Sequence, residues 1–309
     1  MIEDSEIKTT TSPFAIRPGE IKVFDGKDGY VSMNQIIQKI NVGHINDLHF
    51  RIMELVNDFE FITSRQLFKL LEKENFELKS QDKLNNKLEQ LVKTKILTRY
   101  YFNSEDGKGI YRIYCLEKMG KYLLNSRGVE CKWQPTDNTK PVAMIKKRLA
   151  SNQLLISYKE KVQAFDSFEI KVPMNAKQMG KQFKATGGKV TLSKNGKSID
   201  FIFEVIRRED DWQKKLAEKM KLYKDFYSNF VAMDSGFRTM PQLILLCEDE
   251  KHMAETFREI VVNGLEINLY YTTDLRQNSS TLERSLAEFK LDPETNKYRM
   301  DNADIKLLA

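Results

Sequence analysis

Residues 63–116 read TSRQLFKLLEKENFELKSQDKLNNKLEQLVKTKILTRYYFNSEDGKGIYRIYCL. Thr63-Ser64-Arg65-Gln66 has the form of a capping box. The Thr63 hydroxyl can accept from the Gln66 amide, and the Gln66 side chain can reach back. The helix it opens carries Leu67, Leu70 and Leu71 on one face and ends near Asn75. Ser80 is placed to cap a further helix, Gln81 to Lys95, with Leu84, Leu88, Leu91 and Val92 facing inward. Asp82, Asn85, Asn86, Glu89 and Lys93 then point outward, with Lys83, Lys87 and Gln90 on the flanks. Two runs of strand type follow, Leu97 to Phe102 and Ile110 to Cys115. The polar, glycine-bearing loop 103–109 joins them as a hairpin tip. A preceding helix, Asn46 to Asp58, supplies an apolar face through Leu48, Ile52, Leu55, Val56 and Phe59. Helix, capped helix, polar helix and hairpin together predict an α+β winged helix-turn-helix.

Outward from this stretch, residues 1–44 read as an arm. Ile21 to Phe24 and Tyr30 to Met33 flank Asp25-Gly26-Lys27-Asp28-Gly29 as a short hairpin, and Asn34 to Val42 as a brief helix. The winged helix occupies 45–134, closing with a helix over Glu117 to Asn125. Residues 135–141 hold Pro135 and Pro141 without periodicity, and read as a linker. A second domain covers 142–275. It starts with a helix, Val142 to Leu155, and a strand, Phe165 to Val172. The strands Lys189 to Ser193 and Ser198 to Ile206 meet at the tight turn Lys194-Asn195-Gly196-Lys197. A long helix runs from Asp210 to Phe230, with Trp212, Leu216, Met220, Tyr223 and Tyr227 on its core face. The continuous apolar run Gln242 to Cys247 predicts a strand buried on both sides. A helix (Lys251 to Asn263) and a strand (Leu265 to Thr272) complete an α/β order. The tail, 276–309, is polar, with one helix expected over Thr281 to Glu288.

With 309 residues, 41% hydrophobic and 30% charged, the chain is long enough for two cores. No run approaches the roughly 18 apolar residues of a membrane span. The opening MIEDSEIKTTT is acidic and has no apolar centre, so a secretory signal is not expected. Cys115, Cys131 and Cys247 lack CxxC spacing. His44, His49 and His252 pair with no cysteine or carboxylate at ligand spacing. Free thiols in a cytoplasmic protein, and no metal centre, are the expectation. Phosphate-loop and nucleophile-elbow motifs do not occur. The net charge of +6 is a mild pull toward nucleic acid.

A major groove admits one α-helix, and side chains with paired donors and acceptors read base edges there. Gln81, Asn85 and Asn86 are of that kind, and Gln90 flanks them. Lys83, Lys87, Lys93 and the wing-tip Lys108 suit phosphates. Double-stranded DNA is the expected partner. Asp82 and Glu89 repel phosphate and favour the other use of such a fold, a protein-docking scaffold.

The second domain carries Asp200-Phe201-Ile202-Phe203-Glu204-Val205-Ile206. Its element order is similar to the αβββαβ core of PD-(D/E)XK nucleases, which hold a divalent metal with an Asp on one strand and Glu-x-Lys on the next. Glu204 matches the motif's Glu. Ile206 stands at the Lys position, no acid lies over Gly188 to Leu192, and Asp200 sits on the same strand as Glu204. With the N-terminal winged helix, residues 45–275 resemble the replication-relaxation family of plasmid and conjugative-element proteins. Phe203-Glu204-Val205 and Lys219-Met220-Lys221-Leu222-Tyr223 carry that resemblance. It implies a DNA-binding protein of a bacterial plasmid or conjugative element, acting in replication, transfer or its regulation. It further implies replication or conjugation proteins as partners and a homodimer, while the missing Asp and Lys predict a catalytically inactive nuclease-like domain with no cofactor. The alternative is an active magnesium-dependent nuclease using Glu204, Asp200 and a migrated lysine, Lys219.

Overall fold

The computed structural model describes residues 12–303 apart from 75, 77, 106, 108–110, 132, 233–235, 238, 265–268, 279–281, 283 and 284. The chain divides into two compact units. One is Arg17–Asn152; the other joins the segment ending at Ile16 to everything from Gln153 onward. Both mix helix and strand, and no helix among the described residues is long and apolar enough to cross a membrane.

The first unit runs β1 (Ile21–Phe24), α1 (Met33–Asn41), α2 (Asp47–Phe59), β2 (Ile62–Thr63), α3 (Ser64–Glu72) and α4 (Gln81–Lys93). It continues through β3 (Leu97–Asn103), β4 (Arg112–Leu116), α5 (Lys118–Ser126) and the start of α6 (Val142–Lys161). The caps form as the sequence predicts. Thr63 Oγ1 accepts from the Gln66 amide (3.2 Å), Gln66 Oε1 accepts from the Thr63 amide (3.1 Å), and Ser80 Oγ accepts from the Lys83 amide (3.3 Å). Leu67, Leu70 and Leu71 of α3, Leu84, Leu88 and Leu91 of α4, and Ile52, Leu55 and Val56 of α2 are all buried. Burial of each such side chain stabilises by about 1.5–3 kcal/mol before the entropy of ordering is counted. Gly120 opens room for α5, since a Cβ there would stand 2.5 Å from the Ile96 carbonyl oxygen.

The four strands form one antiparallel sheet in the order β1-β3-β4-β2. The expected arm hairpin is not formed. β1 pairs with β3, Phe24 opposite Tyr100, and Met33 opens α1 instead of ending a strand. The reason lies in Ser32-Met33-Asn34-Gln35. This is itself a capping box, with the Ser32 amide donating to Gln35 Oε1 (3.1 Å) and the Gln35 amide to Ser32 Oγ (3.3 Å).

Residues Pro135–Thr139 form a 3-10 turn. Asn138 fixes it by donating to the Leu116 carbonyl (3.0 Å) and accepting from the Trp133 indole (3.1 Å). The two units divide between Asn152 and Gln153, inside α6. Within the first unit Lys146 meets Glu20 at 2.5 Å and Arg148 meets Glu60 at 3.1 Å. Asn152 donates to the carbonyls of Phe59 (3.1 Å) and Phe61 (2.7 Å).

The second unit contains β5 (Phe165–Glu169), β6 (Val172–Ala176), β7 (Lys181–Ala185), β8 (Gly188–Lys194), β9 (Lys197–Val205), α7 (Trp212–Ser228) and β10 (Gln242–Cys247). After these come α8 (Glu250–Val262), β11 (Leu269–Thr273), α9 (Asp274–Asn278), β12 (Ala287–Asp292) and β13 (Lys297–Asn302). Seven strands make a mixed sheet, β13-β12-β11-β10-β9-β8-β5, in which β9, β10 and β11 run parallel and the others antiparallel. Asn195 (φ 53°) and Gly196 (φ 76°) form the tight turn between β8 and β9, with the positive φ at both positions that a two-residue hairpin of this hand requires. Leu243 to Cys247 are fully buried, as a strand covered on both faces must be. Leu216, Met220, Tyr223 and Phe226 of α7 and Met253, Phe257 and Ile260 of α8 share a core with Ile202, Leu243 and Leu245 of the sheet. Phe203 points the other way and meets Tyr158 of α6 edge-on at 5.3 Å.

In the second unit, two further elements differ from the sequence reading. The expected single strand Phe165 to Val172 is two, β5 and β6, and β6 pairs with β7 as a separate two-stranded sheet. The tail helix expected over 281–288 is absent at Ala287, which begins β12 and pairs with Tyr271. Packing decides this. Phe289 stacks on Phe257 at 4.1 Å and Tyr298 meets it edge-on at 4.8 Å. The turn between β12 and β13 is held by Asp292, which accepts from the Glu294 amide (2.9 Å) and the Thr295 hydroxyl (2.9 Å).

Candidate nucleic-acid interface and the Glu204 cluster

The outer face of α4 presents Asp82, Lys83, Asn85, Asn86, Gln90 and Lys93 to solvent, with Gln81, Lys87 and Glu89 half-buried. Gln81 donates to the Asn85 amide oxygen (3.3 Å), so two of the amides expected to read bases are already paired with each other. Gln90 Oε1 lies 2.9 Å from His49 Nε2, which ties that side chain to α2. Burial pushes His49 below the ordinary imidazole value. Lys108 lies outside the described residues.

The charge of Glu89 is not left on the face. Arg99 of β3 reaches it at 2.6 Å, and Lys93 stands 3.7 Å away. The bond to the Arg99 guanidinium holds the Glu89 carboxyl below its usual range. Arg99 also meets Asp25 at 2.8 Å and Arg112 meets Asp25 at 3.2 Å, so two acids and two arginines close one network beside α4. Asp82 remains exposed in the first turn of α4, where the partial positive charge of the helix start favours a carboxylate. Arg99 and Asp25 had no role in the sequence reading. Their partners are far along the chain, and no local spacing marks them.

In the second unit Glu204 projects from β9 under α7 and is buried. Its carboxylate accepts from the Tyr223 hydroxyl (2.7 Å), the Thr186 hydroxyl (2.9 Å) and the Thr186 amide (3.3 Å). Lys219 lies 3.7 Å away, and its ammonium donates to the Lys184 carbonyl at 2.6 Å. Burial, together with the Glu204 charge, raises Tyr223 well above the ordinary phenol value, so the hydroxyl stays protonated and donates. Lys219 is thus brought to Glu204, while Asp200 is not. Asp200 accepts from Thr191 at 2.6 Å. Four residues along one strand put it roughly 13 Å from Glu204.

Magnesium requires several oxygen ligands at about 2.0–2.1 Å in octahedral array. At Glu204 the carboxylate already holds two hydroxyl donors, an amide and a nearby ammonium. Among the described residues no group of three or more His, Cys, Asp or Glu is placed to hold a metal ion. The donor set does not fit the ion.

No family model matches this chain. No curated protein matches it. Among the solved structures similar to it are two of one enzyme. One is the restriction endonuclease FokI, with 10% identity over 74% of this chain and a TM-score of 0.28. The other is the same enzyme bound to DNA, with 8% identity over 74% of this chain and a TM-score of 0.26. The chain spans 43% of the length of each.

Thr186 was missed by the sequence reading because it lies outside any strand, just before the close glycine pair Gly187-Gly188. A Cβ on Gly187 would meet the Phe203 carbonyl oxygen at 2.7 Å. That close approach brings Thr186 to Glu204. Tyr223, read as a core residue, is both core and donor.

Proposed function

We propose that this chain is a double-stranded DNA-binding protein and that Arg17–Asn152 forms a winged helix-turn-helix. In this reading α4 enters the major groove and the β3–β4 hairpin is the wing. The observation that carries it is the state of the α4 face. Lys83, Asn85, Asn86 and Lys93 stand outward, and of the two acids expected to repel phosphate Glu89 is ion-paired with Arg99 while Asp82 stays exposed in the first turn. Lys83, Lys87 and Lys93 supply phosphate contacts, and Asn86 is the amide best placed for a base edge.

The second unit, in the same reading, is a nuclease-like fold whose Glu204 position has become a structural cluster, without metal chemistry. The resemblance to the replication-relaxation family sets this activity in the replication or transfer of a plasmid or conjugative element, with a homodimer and partner proteins of that process. The test is a band shift on duplex DNA across a salt series. Binding should weaken steeply with salt, by about 0.9 in the log–log slope for each phosphate contact. Lys83→Gln with Lys87→Gln should make that slope shallower by about two. Binding that ignores salt, or no binding, would overturn the reading.

A further inference from the structure

Between Glu169 and Asp200 the chain carries seven lysines and no acidic residue. At the chain's average of 44 acidic residues in 309, these thirty positions would hold about four. Four of the lysines, Lys171, Lys177, Lys181 and Lys184, lie on or beside the β6–β7 hairpin, and all four are exposed. Lys189 is different. It is buried and ion-paired with Glu169.

The hairpin is two-sided. Val172, Met174, Ala176, Phe183 and Ala185 are buried in the core beneath it. On the opposite side Pro173 stands across from Lys184 and Asn175 across from Gln182, and all four are exposed. The turn is pinned. Asp225 of α7, itself buried, accepts from the Gln178 amide (3.2 Å) and the Met179 amide (2.8 Å). Asp225 of α7 and Glu204 of β9 are turned inward, Asp225 onto backbone amides and Glu204 onto Tyr223 and Lys219. The outside of the hairpin is a held, amide-bearing ribbon with lysines exposed along it.

We infer that the exposed side and the turn of the β6–β7 hairpin are a second contact surface for duplex DNA, binding its phosphate backbone through Lys184 of the outer face, Lys181 at the turn end of β7, and Lys171 and Lys177 beside the strands. The inference extends the reading of α4 to the other unit and uses none of the α4 residues. Charge complementarity selects the partner. A two-stranded ribbon of five-residue strands is about 16 Å long. It has the cross-section that a major groove admits. Asn175 and Gln182, side by side between the lysines, offer paired amides to what lies beneath the phosphates. A lipid surface would call for apolar or aromatic anchors among the lysines. The hairpin's aromatic residue, Phe183, is buried, and Met179 is the large apolar side chain it exposes. Lysines on an edge also deter strand-to-strand aggregation, a use that makes no demand on DNA.

The test uses the full chain with a random-sequence duplex, reading the slope of log affinity against log salt. The fourfold variant Lys171→Gln, Lys177→Gln, Lys181→Gln, Lys184→Gln should lower the slope by about three to four, since each phosphate contact contributes about 0.9. The matching fourfold Lys→Arg variant should keep it, which separates lost charge from lost fold. The Lys83→Gln, Lys87→Gln variant is measured in parallel. An unchanged slope in the hairpin variant, with a reduced slope in the α4 variant, would overturn this inference and leave the winged-helix reading standing. The reverse pattern would leave the hairpin standing and remove α4. If neither slope moves, both are overturned. Loss of binding to phosphatidylserine vesicles with an unchanged DNA slope would likewise overturn it.

Discussion

Glu204 shows how a residue type suggestive of catalysis becomes part of the packing. Its carboxylate is buried and satisfied by Tyr223, Thr186 and Lys219. A buried acceptor that loses a donor costs more than the net value of one hydrogen bond. Tyr223→Phe should therefore destabilise the second unit by about 1–3 kcal/mol, read from the urea midpoint. A variant as stable as wild type would show that the hydroxyl contributes nothing there. His252 offers a test in pH. Its ring packs edge-on against Trp212 at 4.8 Å, and its Nδ1 accepts from the Glu248 amide at 3.3 Å. Its Nε2 is buried with no hydrogen-bond partner among the described residues. Burial, helped by the nearby Arg208 and Arg207 charges, pushes the imidazole from 6.5 down to about 3. Between those values the unfolded chain binds the proton and the folded chain does not, so stability falls as pH falls from 6.5 toward 3. Denaturation midpoints taken across pH 7 to 4 should show this loss, and His252→Gln should remove its share. An identical pH profile in the variant would count against it.

At the scale of elements, α4 is governed by its neighbour β3. Arg99 reaches across to Glu89 and sets the sign of the α4 face. Arg99→Gln should release the Glu89 charge and weaken duplex binding without removing any DNA contact. Adding Glu89→Gln should recover most of the loss. This double-mutant comparison, made in one salt concentration, isolates the pair. If the second substitution restores nothing, Glu89 is not what weakens the face. Elements with local signals were legible in advance. The capping box at Thr63, the leucine spacing of α3 and α4, the Asn195-Gly196 turn and the apolar run of β10 all work within a few residues. Elements defined by a distant partner were not. β1 pairs with β3 across about eighty residues of sequence (Ile21 with Asn103). The β6–β7 hairpin is marked by Gly180 at φ 60° and by period-2 burial, yet its pinning residue is Asp225. β12 becomes a strand because Phe289 finds Phe257.

For the whole molecule, the decisive test of the proposed reading is whether the second unit cuts DNA. With Asp200 turned to Thr191 and Glu204 engaged by its own neighbours, duplex incubated with Mg²⁺ or Mn²⁺ should remain intact, and Glu204→Ala should behave as wild type in that assay. Metal-dependent cleavage abolished by Glu204→Ala would reverse the conclusion. The sequence by itself determined the mixed α/β character, the three-helix and hairpin order around Thr63 to Leu116, the alternation of β9, β10 and β11 with their intervening helices, and the absence of Glu-x-Lys at Glu204. Those depend on backbone propensity, caps and the periods of 3.6 and 2, which act between residues close in the chain. Tertiary structure alone decided which charges remain available. Glu89 is neutralised by Arg99, Glu204 is closed over by Tyr223 and Lys219, and Asp225 is spent on the hairpin turn. The physical reason is that a charge's effect depends on what lies within a few ångströms of it. For these residues the nearest partners are ten to more than forty positions away in sequence and are brought close only by packing.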